Sequence, residues 1–228
     1  GTLTDGTINA QLAISSVTVQ TSLNDIAISN ASGTVAITPG VANANTLTLD
    51  SAANISWNAG WSYTNNGALT LKANTGSIAG TGTLSVNGTG GLELRANTTI
   101  NATTATDKLA AFAPGGVTIS NTAPSGTLAV DTVGITTGVS TTDAAISLTE
   151  AGAGGLVLNQ LVNSGAGTTA LTATAGAIVD GNGATNNITA LNLALRAATG
   201  IGSADALETT VTNLAFSNTA SGAVQISN

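Results

Sequence analysis

The chain contains no cysteine, no histidine and no methionine. Without thiols there is no disulfide framework, no thiolate metal centre and no cysteine nucleophile. Without imidazole the commonest general base is gone as well. Aromatic residues make up 2% of the 228 positions and charged residues 7%, against roughly a quarter charged in ordinary soluble domains. The four basic residues, Lys72, Arg95, Lys108 and Arg196, are scattered, and the net charge is −7. Neutralising phosphates takes clustered cations, so nucleic acid is excluded as a partner, as is a polybasic membrane contact. No apolar run approaches the length of a membrane-spanning helix, so no membrane insertion is expected.

What remains is aliphatic and small. Hydrophobic residues make up 42% of the chain and mean hydropathy is +0.33, which argues against disorder. A core of Leu, Ile, Val and Ala suits thin, regular layers, and a surface of Thr, Ser and Asn is solvated by hydroxyls and amides.

One phrase is written three times: Ile26-Ala27-Ile28-Ser29-Asn30, Val117-Thr118-Ile119-Ser120-Asn121 and Leu214-Ala215-Phe216-Ser217-Asn218. Each copy is followed by a short spacer, then Ser-Gly, then an apolar tail: Val35-Ala36-Ile37, Leu128-Ala129-Val130 and Val224-Gln225-Ile226. The copies begin 91 and then 97 residues apart. A second phrase, Leu69-Thr70-Leu71-Lys72-Ala73, recurs at Leu193-Ala194-Leu195-Arg196-Ala197 and more loosely at Leu92 and Leu171. Segments of this kind lie roughly 20 to 25 residues apart within one long period, so a short repeat is nested in a long one. The chain reads as one continuous unit, 1–228, with long periods near 26–116 and 117–213.

The apolar segments alternate for four to six residues between Gly, Asn, Asp and Ser-Gly boundaries, which is the period-two strand signature. Val17-Thr18-Val19, Leu47-Thr48-Leu49, Leu84-Ser85-Val86 and Ile146-Ser147-Leu148 are examples, and Asp5-Gly6, Asn66-Gly67 and Asn87-Gly88 supply turns. Helical periodicity is weak, and Ala190–Ala198 aligns with the strand phrase. Sandwich strands do not copy one another, whereas copies that recur stack naturally in a solenoid. The expected fold is all-β: a single right-handed parallel β-helix of about ten or eleven coils, a rod about 50 Å long at the interstrand spacing.

The strings at Leu69–Ala79 and Leu193–Gly202 resemble coils of filamentous-haemagglutinin-like large bacterial exoproteins and related β-strand-repeat adhesins. The resemblance covers the whole chain as a texture of apolar alternation and small polar turns; the family's Asn-Pro-rich secretion signature is absent. It implies a shaft region of a secreted or cell-surface protein. The chain starts without Met and inside a repeat, so it is expected to be a mature piece or an excised segment of something longer.

Parallel β-helices also carry polysaccharide-degrading enzymes, which need two carboxyls within a sugar's width. Asp50 and Glu150 occupy similar places in their strands but belong to separate periods, too far apart to cooperate, and no catalytic residue is assigned. Asp180-Gly181-Asn182-Gly183 approaches a calcium-binding glycine repeat with one carboxylate only; it reads as a tight turn, and no metal or cofactor is assigned. Thr46-Leu47-Thr48 and Thr81-Gly82-Thr83 do not recur coil after coil, which argues against an ice-binding array. Six Asn-x-Ser/Thr sequons are what this composition produces by chance. Trp57, Trp61 and Tyr63 hold three of the five aromatics within seven residues, and equal parity puts them on one side of a strand. Packed inside, they would fill a wider coil; exposed, they form a candidate contact patch that could stack on surface glycans.

The reading is a non-enzymatic structural segment of an extracellular adhesin, matrix or filament protein. Neither Gly1–Ala10 nor Ala220–Asn228 supplies a charged or proline-bearing cap, so the expected partners are flanking coils or other copies stacked end to end. The alternative is a carbohydrate-binding β-helix using Trp57, Trp61 and Tyr63.

Overall fold

The computed structural model describes residues 2–29, 35–40 and 43–228; Asn30 of the first phrase and the Ser-Gly after it lie outside the described residues. The described residues form a parallel β-helix. Most coils lay one rung on each of three faces, paired in parallel with the same face of the next coil. The coil from Ile100 to Val117 has only two strands, Ile100–Ala105 and Lys108–Phe112, and Lys108 and Leu109 pair with Ala129 and Val130 of the third face.

Register shows how the two repeats are nested. On the second face the aligned positions are Ile26, Ile55, Ile78, Ile100, Val117, Ile146, Thr169, Leu193 and Leu214. The steps are 29, 23, 22 and 17 residues from Ile26 to Val117, then 29, 23, 24 and 21 from Val117 to Leu214. The long repeat is therefore four coils, and all three copies of the first phrase sit on one face, four rungs apart. Their tails share the third face: Val35 pairs with Trp61, and Leu128, Leu156, Ile178, Ile201 and Val224 align in turn.

Two expectations change. The eight steps cover 188 residues, 23.5 per coil rather than about 20. This face holds nine rungs and spans roughly 40 Å, and the first face holds ten, from Val17 to Ile226, in line with the expected coil number. The Leu69 and Leu193 phrases are not copies of one position. Leu69 aligns with Leu92 on the first face, whereas Leu193 follows Thr169 on the second. The motif encodes a strand and its corner, which any face can use.

Inward positions are aliphatic ladders. Leu47, Leu69, Leu92 and Leu109 are at most 1% exposed, and burying each such side chain contributes about 1.5–3 kcal/mol. At a corner, Asn213 Nδ2 donates to Asn192 Oδ1 (2.8 Å) and Asn192 Nδ2 to Thr168 Oγ1 (3.2 Å). The 29-residue step from Val117 makes room for a small hairpin, Thr132–Val133 with Thr136–Thr137, between the third face and the next coil.

The amino-terminal end departs from the all-strand reading. Asp5–Leu12 is an α-helix, α1, and Asp5-Gly6 is its first turn instead of a hairpin turn. Thr4 Oγ1 accepts from Thr7 N (3.3 Å), capping the helix, and Asp5 sits favourably at the positive end of its dipole. Leu12 is fully buried. Asn9 Nδ2 donates to Ala36 O (3.1 Å), and the Leu12 carbonyl accepts from Asn43 and Asn45 Nδ2. This end is thus covered in part by a helix, where the sequence suggested no cap.

Candidate functional site

Trp57, Trp61 and Tyr63 do not form a contact patch. Trp57 and Trp61 are 3% exposed and Tyr63 is fully buried. Equal parity did put them on one side of their strands, and that side is the interior. Trp57 lies in register between Ile28 and Gly80, Trp61 between Val35 and Leu84, and Tyr63 between Ile37 and Val86. Gly80, opposite Trp57 on the next coil, leaves room for the indole. Trp57 Nε1 donates to Gly82 O (2.7 Å), whereas the buried Trp61 Nε1 has no partner. The Tyr63 hydroxyl donates to Asn45 O (3.2 Å) and accepts from Asn65 Nδ2 (3.3 Å). Burial pushes its phenol above the usual value of 10.0, partly offset by hydrogen bonds with Asn65 and the Leu47 backbone. With their ring faces covered by core side chains, these residues offer no platform for a sugar.

Asp50 and Glu150 are not equivalent either. Asp50 is on the first face, aligned with Gln20 and Lys72, and its Oδ2 is 3.2 Å from Lys72 Nζ. Glu150 is on the second face, aligned with Asn121 and Ala173. It is fully buried and accepts from Ala123 N (3.0 Å), Gly152 N (2.6 Å) and Asn121 Nδ2 (2.5 Å). The carboxylate substitutes for the missing backbone partners of a corner, and all its bonds go to structure. Glu93 serves similarly. It accepts from Thr70 Oγ1 (2.8 Å), Thr136 Oγ1 (2.6 Å) and Ile135 N (3.2 Å), clasping the hairpin onto the first face. Among the described residues, no three of His, Cys, Asp and Glu group as a metal site, and no helix is long and apolar enough to cross a membrane.

The surface that stands out is the last rung. Leu193 and Leu195 point inward at 2% exposure, and their register partners Leu214 and Phe216 are 38% and 56% exposed. No described strand lies beyond them on this face. On the first face the last turn is partly closed by Ile226–Ser227, with Asn228 Oδ1 accepting from Val211 N (2.9 Å). On the third face Ile201 bonds to Ala223 O and Gln225 N, so the Val224 backbone faces outward along the axis. The carboxy-terminal end is a strand edge with apolar side chains; the other end carries α1. No family model, curated protein or solved structure matches the chain.

Proposed function

We propose that the chain is a structural shaft element of an extracellular or bacterial cell-surface adhesin, matrix or filament protein, and that it joins to a further coil through its carboxy-terminal rung. The observation that carries this reading is the uninterrupted parallel ladder ending on exposed Leu214 and Phe216 at positions that are inward in every earlier coil. Stability in such a stack is the sum of neighbour interactions, so a terminal rung without a neighbour gains most from acquiring one. Support for the extracellular setting comes from the texture of the sequence: few charges, no thiols, and a hydroxyl- and amide-rich surface.

The two ends are unlike, which revises simple end-to-end stacking. Asn9 of α1 occupies a backbone acceptor at the edge of Val35–Ile37, so a head-to-tail fibre would have to displace the helix. Two copies meeting at their carboxy-terminal rungs form an isologous contact that closes at a pair. Sedimentation velocity tests this: the chain should associate to a dimer with rising concentration, and Phe216→Asp should remain monomeric. A chain that stays monomeric throughout, or a variant that associates equally well, defeats the reading.

A further inference from the structure

The two ends of the rod carry complementary backbone patterns. Val17 N donates to Thr46 O and Ile26 N to Asn54 O (both 2.9 Å), so these residues turn their backbone towards the second coil. Alternate residues of a strand bond to opposite sides, so Thr18 and Ala27 point theirs out of the amino-terminal end. Ala36 does the same, since its carbonyl accepts from Asn9 of α1. At the other end Leu207 N donates to Gln225 O (3.1 Å) and Thr219 N to Ala197 O (2.9 Å). There Ile226, Leu214 and Phe216 point their backbone outward, together with Val224. In a parallel pair a residue that bonds towards its neighbour stands opposite one that bonds away. The two ends therefore interlock with inward side chains over inward ones. Leu214 meets Ile26, Phe216 meets Ile28 and Val224 meets Val35. Ile226 meets Val17, because its partner Leu207 precedes Thr209 by two residues, as Leu109 precedes Ala111, in the columns that start at Val17 and Val19.

We propose that the amino-terminal end is a second joining surface, that it receives the carboxy-terminal rung of another copy in this register, and that α1 keeps it shut. The inference rests on the reading of that rung as a joining edge. Val17, Val19, Ile26 and Ile28 are only half-buried, whereas Leu47, Leu49, Ile55 and Trp57, their partners on the next coil, are buried. α1 holds the place of the missing coil with little. Leu12 is its one buried residue, and Gly6, Thr7 and Asn9 weaken it as a helix. Asn9 Oδ1 is buried without a partner, and a groove lined by Leu3, Ile14, Val17, Thr18 and Val19 stays open beside the helix. A rung on all three faces would cover what α1 leaves half-covered. With α1 in place association closes at the carboxy-terminal pair; with α1 displaced, head-to-tail contacts repeat without closing and build a fibre.

Ala10→Pro, at an exposed position inside α1, breaks the helix and tests the proposal in the full chain by sedimentation velocity and electron microscopy. The parent should stop at a dimer. The variant should grow with concentration into unbranched fibres, and adding Phe216→Asp should abolish that growth. The register is read with cysteines, of which the chain has none. Ala27 and Ala215 are exposed and face each other across the interlocked ends at the interstrand spacing of about 4.8 Å, within disulfide reach. Ala10→Pro carrying Ala27→Cys and Ala215→Cys should therefore oxidise to a ladder of covalent oligomers. Should Ala10→Pro lose the β-sheet circular dichroism of the parent, Asn9→Asp, which sets a carboxylate against Ala36 O, takes its place. A folded variant that stops at a dimer like the parent overturns the proposal and leaves the carboxy-terminal edge standing. Parent and variant both monomeric overturn the two together. Fibres in the parent overturn the role of α1, and fibres without a covalent ladder overturn the register.

Discussion

Gly80 lies in register with Trp57, and a methyl group at Gly80 would overlap Cε2, Cδ2 and Nε1 of the indole. The glycine is there for the ring, because the second coil holds the tryptophan only if the third coil gives way. Gly80→Ala should therefore destabilise the chain by about 1–3 kcal/mol through overpacking. Denaturant unfolding followed by tryptophan fluorescence measures this directly. In the same experiment, the native emission should be blue-shifted and poorly quenched by iodide, as buried indoles require.

Glu150 gives a sharper test of the corners. Glu150→Ala removes the acceptor for three buried or part-buried donors, from Asn121, Ala123 and Gly152. Stranding donors in the interior costs about 1–3 kcal/mol each when nothing relaxes, so a loss of about 3 kcal/mol or more is expected in urea unfolding. A loss below 1 kcal/mol would mean that water replaces the carboxylate and that the corner does not depend on it.

Tyr63 sets a pH dependence at the alkaline end. Its folded pKa is raised above 10.0, first by burial, so the folded chain holds the phenolic proton more tightly than the unfolded one. Its contribution to stability is complete below pH 10 and is lost as pH rises through the folded value. Unfolding free energy measured across that window should fall with rising pH, and Tyr63→Phe should flatten the fall. A slope unchanged in Tyr63→Phe would assign the effect to another group.

Much of this architecture is legible in the sequence because a solenoid repeats its own instructions. The Ile26, Val117 and Leu214 phrases reveal a face and a period, and the alternation at Leu47, Leu84 and Ile146 marks strands correctly. Alternation says that neighbours face opposite ways, but it does not say which way is inward. At Trp57 the inward side is open because Gly80, 23 residues away, has no side chain to fill it, and that turned a candidate surface patch into core. Glu93 illustrates the converse: its parity points outward, yet the hairpin around Thr136 buries it. Helix α1 was hidden because Asp5–Leu12 has Gly, Thr and Asn where a strong helix would have Ala and Leu; Thr4 followed by Asp5 was its one local signal. The phrases at Leu69 and Leu193 misled because a strand with its corner is a unit that different faces share.

The claim that the carboxy-terminal rung is a joining edge is most directly tested by small-angle X-ray scattering over a concentration series. The account predicts a single rod at low concentration, with the nine rungs of the second face and the ten of the first spanning roughly 40 to 45 Å, and a particle about twice as long with unchanged cross-section at high concentration. Val224→Pro, which removes an N–H facing along the axis, should hold the chain at the single length. Scattering that remains that of one rod at every concentration, or that thickens without lengthening, would contradict it.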